Sequence, residues 1–255
     1  MTALDGAGLD DASLALLATT FDRAARAGGD LDELGWIDAV EAAPRIAVSS
    51  WFEAQGAVCA TSDALSRLLS GPIAFGDRYV ELGGERVGLD PDLGLVGTPA
   101  LGRDLPPDVV AIGRLAVGHE MVGAMRTMVE MARTHALDRV QFDRPIAGFQ
   151  AVRHRLAEAH VAVEAAAAAL DGAWIDGSPE AAALAKAVCG FSAQTVRNHC
   201  QQVLAGIGFT TEHDFHRYLR RTFVLDNLLG TANSIAAEVG TRSLDRGHLP
   251  KMVPL

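Results

Sequence analysis

Aromatic residues are scarce in this chain: 5% of 255 positions, against 49% for hydrophobic residues as a whole. The core must therefore be built from Ala, Val, Leu and Met. Runs such as Ala165 to Ala169 suit close helix packing better than a β-sandwich. Clustered cations are missing too. The 22 Lys and Arg are outnumbered by 32 Asp and Glu, giving a formal charge of −10. With no basic stripe to neutralise phosphates, nucleic acid is not expected as a partner. The apolar stretches are too short or too interrupted to span a bilayer, and Met1-Thr2-Ala3-Leu4-Asp5 has no basic n-region. The expectation is a cytoplasmic chain without membrane contact. Cysteine is limited to Cys59, Cys189 and Cys200, an odd number without CxxC. That suits buried thiols in a reducing compartment, not disulfides or a metal site. GxSxG, a P-loop, G-x-G-x-x-G and any Ser-His-Asp order are also absent.

What remains is helical punctuation. Asp10 or Asp11 caps a helix through Leu14, Leu17 and Phe21 that Gly28-Gly29 stops. A second starts near Ala43-Pro44, carries Ile46, Trp51, Val58 and Leu65, and is expected to end near Gly71-Pro72. From Pro72 to about Asp104 the pattern changes. Two short alternating segments within Tyr79–Leu89 flank Gly83-Gly84, a hairpin signal, and a glycine-rich linker from Gly94 to Gly102 follows. The rest reads as helices near Asp108–Leu137, Phe149–Ala173, Pro179–Leu204, Asp214–Leu229 and Ala232–Leu244, the first four as an antiparallel bundle. Ser178-Pro179-Glu180 opens the third of these with a hydroxyl cap, a proline and an acid. The chain thus divides into an N-terminal helical region (1–71), a short hairpin and linker (72–104) and a C-terminal helical bundle (105–255).

Taken alone, Arg139-Val140-Gln141-Phe142-Asp143-Arg144-Pro145 is a solvated basic loop, and Gly206 and Gly208 are a helix stop and a tight turn. His213 and His216 stand beside Glu212 and Asp214, but spacing fixes no further ligand, so no metal is expected. His119, His135, His154 and His160 fall on helices as packing or surface residues. Read together, the segments carry more. Arg139-x-x-Phe142-x-Arg144-Pro145-Ile146 with Phe149-Gln150, then Gln202-Val203-Leu204-Ala205-Gly206-Ile207-Gly208-Phe209 with Thr211-Glu212, then Tyr218-x-Arg220-Arg221 and Gly230-Thr231, resemble in order the motifs of the acyl-CoA dehydrogenase family. The resemblance covers about Asp104 to Leu244. Leu31 to Trp36 resembles, more weakly, the family's first helical domain.

The resemblance implies FAD as cofactor, held across a subunit interface. Arg139 would bind the diphosphate, Phe142 would pack beside the cofactor, Gln150 and Gln202 would donate amide hydrogens, and Gly206 would let the backbone approach. Thr231 and Asn233 match the family's contact to its own flavin. Three departures qualify this. Residues 72–104 are too short for the family's middle β-barrel, leaving a vestigial hairpin. Asp143 and Ala205 stand where the motifs have glycine. Leu229 and Gly113 stand where the family places its catalytic glutamate, and neither can accept a proton. No catalytic residue is therefore expected here, and nothing places Glu120 or Asp226 at the substrate. The expected function is an accessory subunit of a flavin-dependent acyl-CoA dehydrogenase, an oxidoreductase acting on an acyl-CoA substrate, including a bulky steroid-type side chain in lipid degradation. It would pair with a full-length homologous subunit, as a heterodimer or α2β2 heterotetramer, through the last two bundle helices. An electron-transfer flavoprotein is the family's usual electron acceptor. The alternatives are a self-sufficient homodimer with an unrecognised base, and a non-enzymatic scaffold or regulatory pseudo-enzyme without flavin.

Overall fold

The computed structural model describes residues 9–69, 80–82, 85–87 and 105–247. Helix α1 (Asp11–Ala27) is capped by Asp10, whose carboxylate accepts the Ser13 N–H at 2.9 Å, and it ends on Gly28 in the left-handed region. A short α2 (Trp36–Ala42), absent from the sequence reading, follows Gly35. Proline opens α3 (Pro44–Val58), and α4 (Ala64–Leu68) comes after a break. The single helix expected from Ala43 to about Gly71 is therefore two. Cys59 takes φ +50 and its N–H bonds back to the last turn of α3. Below it, Ser62 and Gln55 both accept from the Trp51 indole N–H, so the chain folds back where a longer helix would run on.

The expected hairpin is present as β1 (Val80–Leu82) and β2 (Glu85–Val87), antiparallel, with Leu82 opposite Glu85. Its Gly83-Gly84 turn, and the Gly94–Gly102 linker, lie outside the described residues. The bundle follows: α5 (Pro107–Asp138), α6 (Gln150–Asp176), α7 (Pro179–Leu204) and α8 (Phe215–Asn227), with α9 (Ala232–Arg246) laid along α7. Ser178 caps α7 and Thr231 caps α9, each hydroxyl accepting a backbone N–H at 3.1 Å. A second, two-residue-turn hairpin, β3 (Val140–Gln141) with β4 (Arg144–Pro145), joins α5 to α6.

The core is continuous from the N-terminal helices into the bundle. Phe21, Trp36, Trp51 and Phe52 cluster in tilted and edge-on contacts, so four of the chain's few aromatic residues pack together among the N-terminal helices. Helices α3 and α5 cross at backbone contact. A Cβ at Gly56 would lie 2.0 Å from the Glu120 carbonyl oxygen, and one at Gly123 would lie 2.0 Å from that of Glu53. The Ala57 carbonyl accepts from both Thr127 (2.9 Å) and Tyr218 (3.0 Å) beside this crossing. Several buried polar groups are paired across helices. Arg221 donates to Glu120 at 2.7 Å in the core. Trp174 donates to His119 Nε2 at 2.9 Å, so that nitrogen carries no proton and Nδ1–H donates to Glu53.

Candidate functional site

The seven residues named from the sequence fall at two ends of the bundle. Because α5, α6 and α7 alternate in direction, the C-terminus of α5, the N-terminus of α6 and the C-terminus of α7 share one end. Contacts of His199 with Arg155 at 3.3 Å and Glu158 at 3.2 Å tie that end of α7 to α6. Arg139, Phe142, Gln150, Gln202 and Gly206 are all here and all exposed. Thr231 and Asn233 begin α9 at the other end, beside the start of α5. About 38 Å of helix axis separates Gly113 from the end of α5, so one cofactor cannot touch both groups on this chain.

At the first end, Phe142 and Asp143 form the tip of the β3–β4 hairpin with φ +54 and +63. Positive φ at both central positions is the type I′ form of a two-residue hairpin turn, and Asp tolerates it better than Phe. The turn pushes the Phe142 ring outward, 85% exposed and edge-on to Phe149, whose face carries the Arg144 guanidinium at 4.1 Å. Arg139 caps α5 and its carbonyl accepts the Ile146 N–H at 2.8 Å, leaving the guanidinium free to reach outward. Gln150 opens α6, with its amide 3.4 Å from His154.

The second half of this end is the 3-10 turn Ala205–Phe209. The sequence reading gave the helix stop to Ala205-Gly206. In the structure Ala205 carries the positive φ, at φ +52 and ψ −132, a conformation glycine usually supplies. Beyond Gly206 an added Cβ would meet nothing within 4 Å, so its backbone faces open space. Phe209 stands 77% exposed beside it. Sequence reasoning missed Gln201, whose amide nitrogen is buried without a hydrogen-bond partner behind Gly208. Burial, then His213 and Arg139, hold the His135 imidazole below its usual range, consistent with a cationic end. His213 and His216 do not converge: His213 Nδ1 accepts the Phe215 N–H at 3.1 Å, and His216 Nδ1 lies 2.8 Å from the His213 carbonyl.

At the other end Thr231 is committed to capping, while Asn233 is exposed on the first turn of α9. Leu229 and Gly113 meet. A Cβ on Gly113 would lie 2.7 Å from both Leu229 Cδ1 and Leu69 Cδ2, so two leucines fill the space against the bare helix face. Leu229 is buried and left-handed, at φ +57. Glu120 is bound to Arg221, and Asp226 accepts the Ala232 N–H at 3.1 Å, so both carboxylates are already engaged. Two further cations at this end were not legible in the sequence. Arg114 donates to the Leu229 carbonyl at 3.0 Å, and buried Lys186 donates to the carbonyls of Asp226 (3.1 Å) and Gly230 (3.3 Å).

The family model for the acyl-CoA dehydrogenase C-terminal domain matches residues 102–244. The acyl-CoA dehydrogenase IpdE2 of Mycolicibacterium smegmatis is 34% identical over 116 residues, covering 46% of this chain and 37% of that protein. Its counterpart in Mycobacterium tuberculosis is 31% identical over 129 residues, covering 51% and 41%. The matched stretch thus spans about two-fifths of these relatives. One chain of the ChsE4-ChsE5 complex from Mycobacterium tuberculosis superposes with TM-score 0.65 at 18% identity, covering 95% of this chain and 99% of that one, which shows a shared fold. With the motif order, the helical architecture and the matched domain in agreement, the chain belongs to the acyl-CoA dehydrogenase family.

Proposed function

We propose that this chain is an accessory subunit of a heteromeric, FAD-dependent acyl-CoA dehydrogenase, lending cofactor contacts across the interface while a full-length homologous partner supplies the catalytic glutamate and the barrel. The observation that carries this reading is the division of the named residues between two ends of the bundle. Arg139, Phe142, Gln150, Gln202 and Gly206 turn outward together at one end, as donors to a diphosphate held by another subunit would. The other end, where the family has its base, is closed by Leu229 and Leu69 over Gly113.

The residues fit the cofactor. A guanidinium, two exposed amides and an open glycine backbone make a donor set for a diphosphate, and an exposed aromatic ring offers a face or edge to a planar group. When bound, the flavin supplies the two-electron acceptor for dehydrogenation. This chain's residues bind and orient it, and move no proton. The likeness to a chain of the ChsE4-ChsE5 complex over 95% of this sequence supports a second, unlike acyl-CoA dehydrogenase subunit as partner. An acyl-CoA with a bulky, steroid-type side chain as substrate and an electron-transfer flavoprotein as acceptor belong to the same proposal, as does a cytoplasmic location.

The alternative, a scaffold that has dropped flavin, draws on Asp143 and Ala205. Against it, both residues hold the positive φ that a motif glycine would take, so the turn geometry is retained although the glycines are gone. FAD titration of the reconstituted complex tests the choice. Arg139→Ala removes a charge-assisted bond worth about 1.5–3 kcal/mol, and FAD affinity is expected to fall roughly 10- to 100-fold. Leu229→Glu is expected to add no turnover. Unchanged affinity with Arg139→Ala, or a large gain from Leu229→Glu, contradicts the accessory reading.

A further inference from the structure

The loop between α8 and α9 carries Leu229 and Thr231, yet it has no regular hydrogen bonding of its own. Its shape comes from two cations on other helices. Arg114, on α5, holds the Leu229 carbonyl. Lys186, on α7 and 0% exposed, donates to the carbonyls at both ends of the turn, Asp226 and Gly230, and lies 3.7 Å from the Asp226 carboxylate. That carboxylate in turn accepts the Ala232 N–H, the first of α9. It reaches in over Gly190, where a Cβ would lie 2.2 Å from Asp226 Oδ1 and 2.6 Å from Ala232 Cβ. Burying an ammonium is expensive, and apolar replacements of buried charges are often as stable. Core packing alone would accept a methionine here.

We propose that Lys186 is the positioning residue of this loop: its ammonium ties the Asp226 and Gly230 carbonyls together and thereby fixes the backbone that presents Thr231 and closes Leu229 over Gly113. The proposal rests on the accessory-subunit reading for what the loop presents, but its geometry and its test concern this chain alone. The groups facing Lys186 are Asp226 from the α8 end, Cys189 on its own helix and Arg114 from α5. Burial, opposed by Asp226, brings the lysine down to about 8, while burial takes the Cys189 thiol up to about 12.

The test is amide hydrogen exchange and NMR on the isolated chain. In Lys186→Met, amides of residues 229–232 should exchange roughly 10- to 100-fold faster, with mid-bundle amides such as those of Val122 and Val196 within about twofold of wild type. In the wild-type chain the Gly230 and Thr231 amide shifts should titrate together with a midpoint near pH 8, a measurement that stands if the variant does not fold. Loop exchange unchanged in Lys186→Met, exchange raised equally throughout the bundle, or Gly230 and Thr231 shifts that stay flat while the Lys186 Cε shift titrates would overturn the proposal. None of these results depends on flavin.

Discussion

Ala205 sits at φ +52, ψ −132, where an L side chain is crowded by its own backbone. Exchange to glycine at such a site relieves strain that outweighs glycine's greater entropy in the unfolded chain. Ala205→Gly is expected to add about 1 kcal/mol, read as a Tm rise of roughly 2–4 °C in a chain of this size. An unchanged or lower Tm would contradict the strain. That motif glycines are expected at 143 and 205 followed from the family resemblance. That the backbone keeps their conformation without them was not legible, because φ is set by the hairpin and helix end around each residue. The family resemblance sets Leu229 where a carboxylate is expected; its seat against Leu69 and Gly113 was not legible, because it depends on residues far apart in sequence. Buried thiols set a second expectation. Burial raises Cys189 and Cys200 from 9.0 to about 12 and Tyr218 from 10.0 to about 12. The unfolded chain releases these protons first, so it binds fewer protons than the folded chain above pH 9 and stability falls as pH rises. Lys186 acts in the opposite sense from about 8 to 10.5. Denaturant titrations at pH 8 to 11 should show net loss above pH 9, with a shallower slope in Cys189→Ala/Cys200→Ala. A slope unaltered by the double substitution would place the alkaline loss elsewhere.

At the scale of elements, the helix starts were readable wherever a cap or proline marks them, as at Asp10, Pro44, Ser178 and Thr231. The break after α3 was not, because Cys59 takes a left-handed conformation that glycine or asparagine would have announced. The polar run Thr61-Ser62-Asp63 was the available hint of a new start. Nor did Gly56 and Gly123 stand out as a pair, sixty-odd residues apart on helices whose mutual approach only the fold defines. A Cβ on either would lie 2.0 Å from a carbonyl oxygen of the other helix. Gly56→Ala or Gly123→Ala must push α3 off α5, at about 1–3 kcal/mol or more of overpacking. Because one displacement relieves both contacts, the double variant should cost clearly less than the two single costs added together. Chemical denaturation of the four proteins measures this. Strict additivity, or single variants within 0.5 kcal/mol of wild type, would mean the crossing is looser than described.

For the whole molecule, fold class and family followed from motif order along a helical C-terminal half, since those motifs sit on helix ends that sequence punctuation also marks. The placement of the site did not follow from any one motif. Seven residues gathered by resemblance are dealt to opposite ends of the bundle by the length of α5, and in the proposed reading a second subunit brings the cofactor to the Arg139 end. Flavin content by absorbance, after size exclusion, decides this most directly. It should be measured on the chain purified alone and on the chain co-expressed with a full-length acyl-CoA dehydrogenase homologue. The account predicts little flavin on the chain alone and a stable complex of unlike subunits carrying bound FAD. Stoichiometric flavin on the isolated chain, or a complex that forms without any, would contradict it.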